Sequence, residues 1–241
     1  MDEIAPRIGQ AVLVLRSLSE AVSGAMARIE GEKRVCAEIK SGALAVNTEL
    51  EALSHHSEAA IGSAKELETA SPSPLRIQVV KGEIQELSSL VESLSSTIFS
   101  LQGTSGGSIH RVKEEQRRIE SLSAILERLT RDDFQPLSSG IQTISSRLTG
   151  VERQVAAEGS CRFPPGFEEA IAKSMFLSQQ LLSLAANSQA ISVAACACAT
   201  GLRALKEDLE RHGQRLEEAK VAGVFPIAQQ IERAAAALCR K

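Results

Sequence analysis

One frame of apolar residues constrains the first stretch of the chain. Ile4, Ile8, Ala11, Leu15, Leu18, Val22, Ala25, Ile29, Glu32, Cys36, Ile39, Ala43, Val46, Leu50, Leu53, Ser57, Ala60, Ala64 and Leu67 recur at alternating spacings of three and four, and only Glu32 and Ser57 among them are polar. That spacing turns one stripe of an α-helix toward a partner helix. At ~1.5 Å per residue the helix would run on the order of 95 Å, more than a small globular core requires.

A second frame is cleaner still: Ile77, Val80, Ile84, Leu87, Val91, Leu94, Ile98, Leu101. Its first positions are all β-branched and most of its second positions are Leu, the split that favours two parallel strands in a coiled coil. Leu90 and Ile125 add apolar groups on a flanking position, which widens the stripe toward a trimer, tetramer or bundle. These eight seam residues are therefore expected to hold a homo-oligomer together.

Breaks punctuate the pattern. Ser71-Pro72-Ser73-Pro74 predicts a linker over 70–76, because proline lacks an N–H and disfavours helical geometry in the residue before it. The three glycines of Gly103-Thr104-Ser105-Gly106-Gly107-Ser108 make a helix locally costly and predict a hinge or hairpin turn, while the frame resuming unshifted at Val112, Ile119, Leu122, Leu126 and Leu129 favours instead a continuous rod with a soft spot there. A frame slip near 131–136 leads into Phe134, Leu137, Ile141, Ile144, Leu148, Val151 and Val155, with Pro136 marking a kink or restart. A Pro/Gly linker at 159–166 precedes a last Ala-rich helical region, 167–241, with the seam Phe167, Ala170, Ser174, Leu177, Leu181, Leu184, Ser188, Ile191, Ala195, Cys198, Leu202, Leu205, Leu209, His212, Leu216 and Ala219. There Gly223 is expected to stop the helix and Pro226 to open a short final one. The expected organisation is thus 1–69, a linker at 70–76, a central coiled-coil segment 77–158 broken at 103–108, a linker at 159–166, and 167–241. Period-two alternation and hairpin turn signals are missing, so the fold class is all-α: an elongated coiled coil or long-helix bundle, oligomeric, with Pro/Gly-rich breaks.

Composition fits that class. The only aromatics among 241 residues are six Phe, so apolar surface must come from aliphatic side chains, as suits helices packed side by side. Phe99, Phe134, Phe163, Phe167 and Phe225 all sit where the regular frames stop, and those junctions are where helices are expected to fold back or partners to dock. The net charge of -3 shifts from -4 over 1–69 to -1 over 76–158 and +2 over 159–241, and no third is basic enough to read as a nucleic-acid surface. The densest basic cluster, Arg111, Lys113, Arg117 and Arg118, is matched by Glu114, Glu115 and Glu120 and reads as a solvated helix face.

Sites for chemistry are few. Cys196 and Cys198 stand two apart, about 200° around a helix, and cannot chelate one ion together; Cys36, Cys161 and Cys239 lie in unrelated segments, so free thiols in a reducing compartment are expected. His55-His56-Ser57-Glu58 lacks a second copy to complete a carboxylate-bridged metal site. Phosphate-cradling glycine motifs and nucleophile elbows do not occur, which gives no enzyme, no cofactor and no metal. His212, on a seam, reads as a register-setting polar residue. Ser71 and Ser73, each before a proline, are candidate phosphorylation sites, and Ser88, Ser89, Ser93, Ser95 and Ser96 flank the best seam. Between Lys173 and Arg203 no residue is charged, a stretch long enough to span a bilayer; its Ser, Thr, Asn and Gln content favours a buried helix over a membrane segment at 174–202.

The function expected is a non-enzymatic coiled-coil oligomerisation and protein-interaction scaffold, intracellular, cytoplasmic or nuclear, whose partners are itself and other helical proteins. In plan, an oligomerising coil between helical arms, the chain also resembles the phosphoproteins of negative-strand RNA viruses. The resemblance rests on the order of segments alone, and it implies a polymerase cofactor that binds nucleoprotein and polymerase. A membrane-associated tether is the third reading.

Overall fold

The computed structural model describes residues 4–69, 73–134 and 167–238. Every described element is helical: α1 (Ile4–Thr69), α2 (Pro74–Arg128) continuing into a π turn (Leu129–Phe134), α3 (Phe167–Ala219), a second π turn (Lys220–Val224) and α4 (Phe225–Leu238). The segment 135–166, with the expected linker at 159–166, Phe163 and the seam residues Leu137 to Val155, lies outside the described residues, as does Ser71.

The chain divides into two compact units. The first draws on Met1–Gly31 and Val112–Cys198, the second on Glu32–Arg111 and Ala199–Lys241. In the second unit the pairing of residues gives the topology. Gly42 lies under Leu101, and Ser63 donates a hydrogen bond to Glu83 Oε1 (3.3 Å), so α1 and α2 run antiparallel. Gln102 Nε2 reaches the carbonyl of Leu209 (3.4 Å) and Ser105 Oγ that of Leu202 (3.3 Å), so α2 and α3 are also antiparallel. Gly201 lies against Cys36, and Arg215 Nη1 donates to Asn47 Oδ1 (2.7 Å), which sets α1 and α3 parallel. The unit is an up-down-up three-helix bundle.

Its core is built from the stripes the spacing predicts. Val46, Leu50, Leu53, Ala60, Ala64 and Leu67 of α1 pack with Ile77, Val80, Leu87, Val91, Leu94 and Ile98 of α2 and with Leu216, Ile227 and Ile231. Ile84, Leu90 and Leu101 are partly buried against them. The wide stripe that Leu90 provides is what a helix with two neighbours needs. The seam expected to join copies of the chain is therefore closed by helices of its own chain. A second copy could reach it only by displacing them.

In the first unit Leu15, Leu18, Val22, Ala25 and Ile29 are buried, as are Val112, Ile119 and Leu126 and, from α3, Leu177, Leu181, Leu184, Ile191 and Ala195.

Three punctuation marks act differently from expectation. The linker ends earlier than 76: Ser73 caps α2, its Oγ accepting from the Arg76 N–H (3.3 Å) while Pro74 opens the helix, where a missing N–H costs nothing. The segment 103–108 is not a break, since α2 runs through it. Two of its residues occupy seam positions: Ser105 and Ser108 are fully buried. Packing and the Ser105 bond to α3 offset the glycine cost that local propensity counts alone. Gly223 does not stop a helix either. It is buried in the second π turn with no room for a side chain, since a Cβ there would collide with Ser57 Oγ. In that turn the Phe225 N–H bonds to the carbonyl of Lys220, five residues back. The widened turn relieves the clash that the Pro226 ring would otherwise make with the preceding turn, so the helix continues where a proline would break it.

Candidate interaction surfaces

The seams are not apolar throughout. In the first unit Glu115 takes the place between Val112 and Ile119, and its side chain is 5% exposed. Arg28 of α1 grips both its oxygens, Nε to Oε2 and Nη2 to Oε1, each at 2.7 Å, and Arg118 adds a contact at 3.4 Å. Bidentate geometry of this kind fixes register as well as charge. Ser123 and Ser188, also facing each other across the first unit, share a hydrogen bond of 2.7 Å. Glu115 thus corrects the reading of 111–120 as a wholly solvated face: Lys113, Arg117 and Glu120 are not buried, whereas Glu115 is core.

In the second unit Glu32, one of the two polar residues in the first frame, accepts from Ser108 Oγ and from Arg111 Nε (2.5 Å). Burial pushes its carboxyl up, but the hydrogen bonds from Arg111 and Ser108 and the attraction of the Arg111 charge together outweigh it, and the net shift is downward. A depressed acid contributes stability above its unfolded value of about 4.3 and loses it as pH falls through the lower folded value. Urea titrations between about pH 5 and pH 2 should therefore show a loss of stability that is shallower in Arg111→Gln than in the wild-type chain. Equal slopes would mean the pair carries no linkage.

The remaining candidates fall apart or fall to the surface. His55, His56 and Glu58 are exposed, and among the described residues no group of three or more His, Cys, Asp or Glu could hold a metal. Cys196 is exposed and Cys198 buried, while Cys36 is half-buried; all three are reduced thiols. His212 is buried on its seam, with Nε2 3.6 Å from Asp208 Oδ2 and Nδ1 lacking a hydrogen-bond partner. Cys161 and Cys239 lie outside the described residues. One helical run, Met175–Leu238, is long and apolar enough to cross a membrane by length and composition. In this fold Leu177, Leu181, Leu184, Ser188 and Ile191 of that run are buried in the chain.

Two surfaces stand out. In the second unit a groove of about 610 Å³ lies between α2 and the second π turn, lined by Val91, Val224, Phe99 and Phe225, with Ser88, Ser95 and Ser96 beside them and Glu92 and Lys220 supplying one charge of each sign. Phe99 is 79% exposed and Phe225 57%. Both stand at the end of a frame in the sequence; that α2 and the π turn bring them to one groove is set by the antiparallel pairing. Lys220 is tethered to Glu217 (2.5 Å). In the first unit the second surface is the outward face of α3, where Met175, Leu182 and Val193 are each more than 60% exposed.

No protein-family model matches the sequence, and no curated protein matches it either. Among solved structures the chain is similar to one described as a computationally designed three helix bundle, at 15% identity, with 98% of this chain and 96% of that chain covered and a TM-score of 0.43.

Proposed function

We propose that this chain is a non-enzymatic helical-bundle scaffold that binds a helical segment of another protein in the groove between α2 and the second π turn. The observation that carries the reading is the pair of exposed rings, Phe99 and Phe225, walling an apolar groove. A soluble bundle gains nothing in stability from rings held in water, and rings over an apolar floor are the residue type that dominates binding energy at interfaces. A helix laid between them could bury aliphatic residues on Val91 and Val224, with Glu92 and Lys220 offering partners for charges at its rim. The seam Ile77 to Leu101 then serves the scaffold's own core, and its reduced thiols suit a reducing intracellular compartment.

The test places a photo-crosslinking residue at position 96, which lines the groove, and compares the proteins captured when Phe99 and Phe225 are present with those captured when the same crosslinking chain also carries Phe99→Ser/Phe225→Ser. Because both rings are mostly in water, the variant should keep wild-type helicity and melting temperature while losing at least 10-fold in capture of the groove's partner, about 1.4 kcal/mol or more. An unchanged set of captured proteins would sink the reading.

A further inference from the structure

The outward face of α3 in the first unit differs from its neighbours. On α1 the exposed apolar residues, Leu13 and Met26 among them, are interspersed with the exposed charges Arg16, Glu20 and Glu30, and on α2 the exposed positions carry Lys113, Arg117 and Glu120. From Ser174 to Thr200 α3 has no charged residue at all. Its buried seam, Leu177, Leu181, Leu184, Ser188, Ile191 and Ala195, occupies one side of the helix. At 100° per residue, Met175, Gln179, Leu182, Ala186, Ala190, Val193 and Ala197 form the opposite side, within about 40° of one line. All seven are exposed.

The order of large and small residues along that line says what can cover it. Turn a second α3 end for end and centre both on Ala186: Met175 then meets Ala197, Leu182 meets Ala190, Gln179 meets Val193, and Ala186 meets itself. Every large aliphatic side chain faces a smaller residue or the flexible stem of Gln179, and the smallest pair lies at the two-fold axis, where helices can approach to about 8 Å. In a parallel pair Met175, Leu182 and Val193 would each meet their own copy, while the alanine layers would leave voids, and packing of that kind is costly. A closed two-fold contact requires a self-complementary patch, and a charge-free one meets its copy with no like-charge repulsion.

We infer that the chain associates with a second copy of itself through an antiparallel α3–α3 contact centred on Ala186. It is a surface separate from the groove, and it does not depend on the groove's having a partner. A contact along about 35 Å of helix is at the small end of specific interfaces, the size class of weak and transient encounters.

Sedimentation equilibrium of the full chain up to about 200 µM should reveal a monomer–dimer equilibrium. Ala186→Arg places two cations at the axis and should weaken the dimer by about 100-fold, with unchanged helicity and melting temperature because the position is solvent-facing. Orientation is read by disulfide trapping in a background with Cys161 and Cys239 replaced by Ser. Ala186→Cys should form a covalent dimer on mild oxidation, whereas the exposed native Cys196, which sits opposite Phe176 in this register, should not join to its own copy. A Cys196–Cys196 link formed as fast as the link at position 186 would overturn the register. Full dimerisation of Ala186→Arg, or a wild-type monomer at the highest concentration, with the face left to lipid or to a different protein, would overturn the contact itself.

Discussion

Arg28→Ala should destabilise the chain by about 2–4 kcal/mol, whereas Glu115→Leu should be neutral or stabilising. The asymmetry follows from where each member of the pair sits. Glu115 is 5% exposed and Arg28 52%. Without Arg28, the carboxylate stays in the seam between Val112 and Ile119 with the 3.4 Å contact from Arg118 as its remaining charge partner, and an undercompensated buried charge is expensive. Without Glu115, both arginines can turn to water, and a leucine joins the apolar stripe in its place. Urea unfolding followed by circular dichroism measures both variants, and the double variant Arg28→Met/Glu115→Leu should lie near the single Glu115→Leu. Equal losses for the two single variants would show that the pair stabilises the fold outright and is not mainly a register device.

Replacing Gly103, Gly106 and Gly107 together by Ala should raise stability by about 2–3 kcal/mol, on the order of 5–10 °C in melting temperature. Each glycine lies inside α2, where it costs conformational entropy that alanine does not. A Cβ at Gly103 or Gly106 would meet nothing within 4 Å, and one at Gly107 would touch only the Arg111 guanidinium at an ordinary 3.5 Å. If the segment were a hinge or a turn using left-handed backbone, the same change would lower the melting temperature. Thermal unfolding of the triple variant therefore distinguishes a continuous helix from the break that the glycines suggest.

That segment shows how far local reasoning reaches. The seams of α1 and α2 were readable because a period near 3.5 can be met only by a helix with one buried stripe, and most seam residues from Leu15 to Leu67 and from Ile77 to Ile98 are buried as their spacing requires. Phe99 and Phe225 were readable as junction residues, since each lies beyond a regular frame. Glu115 was hidden among charges that looked solvated. The signal that could have found it was its own position, three after Val112 and four before Ile119, where the unshifted frame calls for a seam residue.

The helical class, the buried stripe of each helix and the charge-free run of α3 were determined by the sequence alone, because each depends on the order of residue types along one helix. What closes a stripe depends on a neighbour that the period does not name. The seam from Ile77 to Leu101 suits a second copy as well as it suits α1, and tertiary structure assigned it to the chain's own bundle. It likewise kept α2 helical across Gly103 to Ser108, where contacts with α1 and α3 outweigh a local cost. Gly223 and Pro226 could remain within a helix because Gly223 has no side chain to collide with Ser57 and the widened turn accommodates the proline.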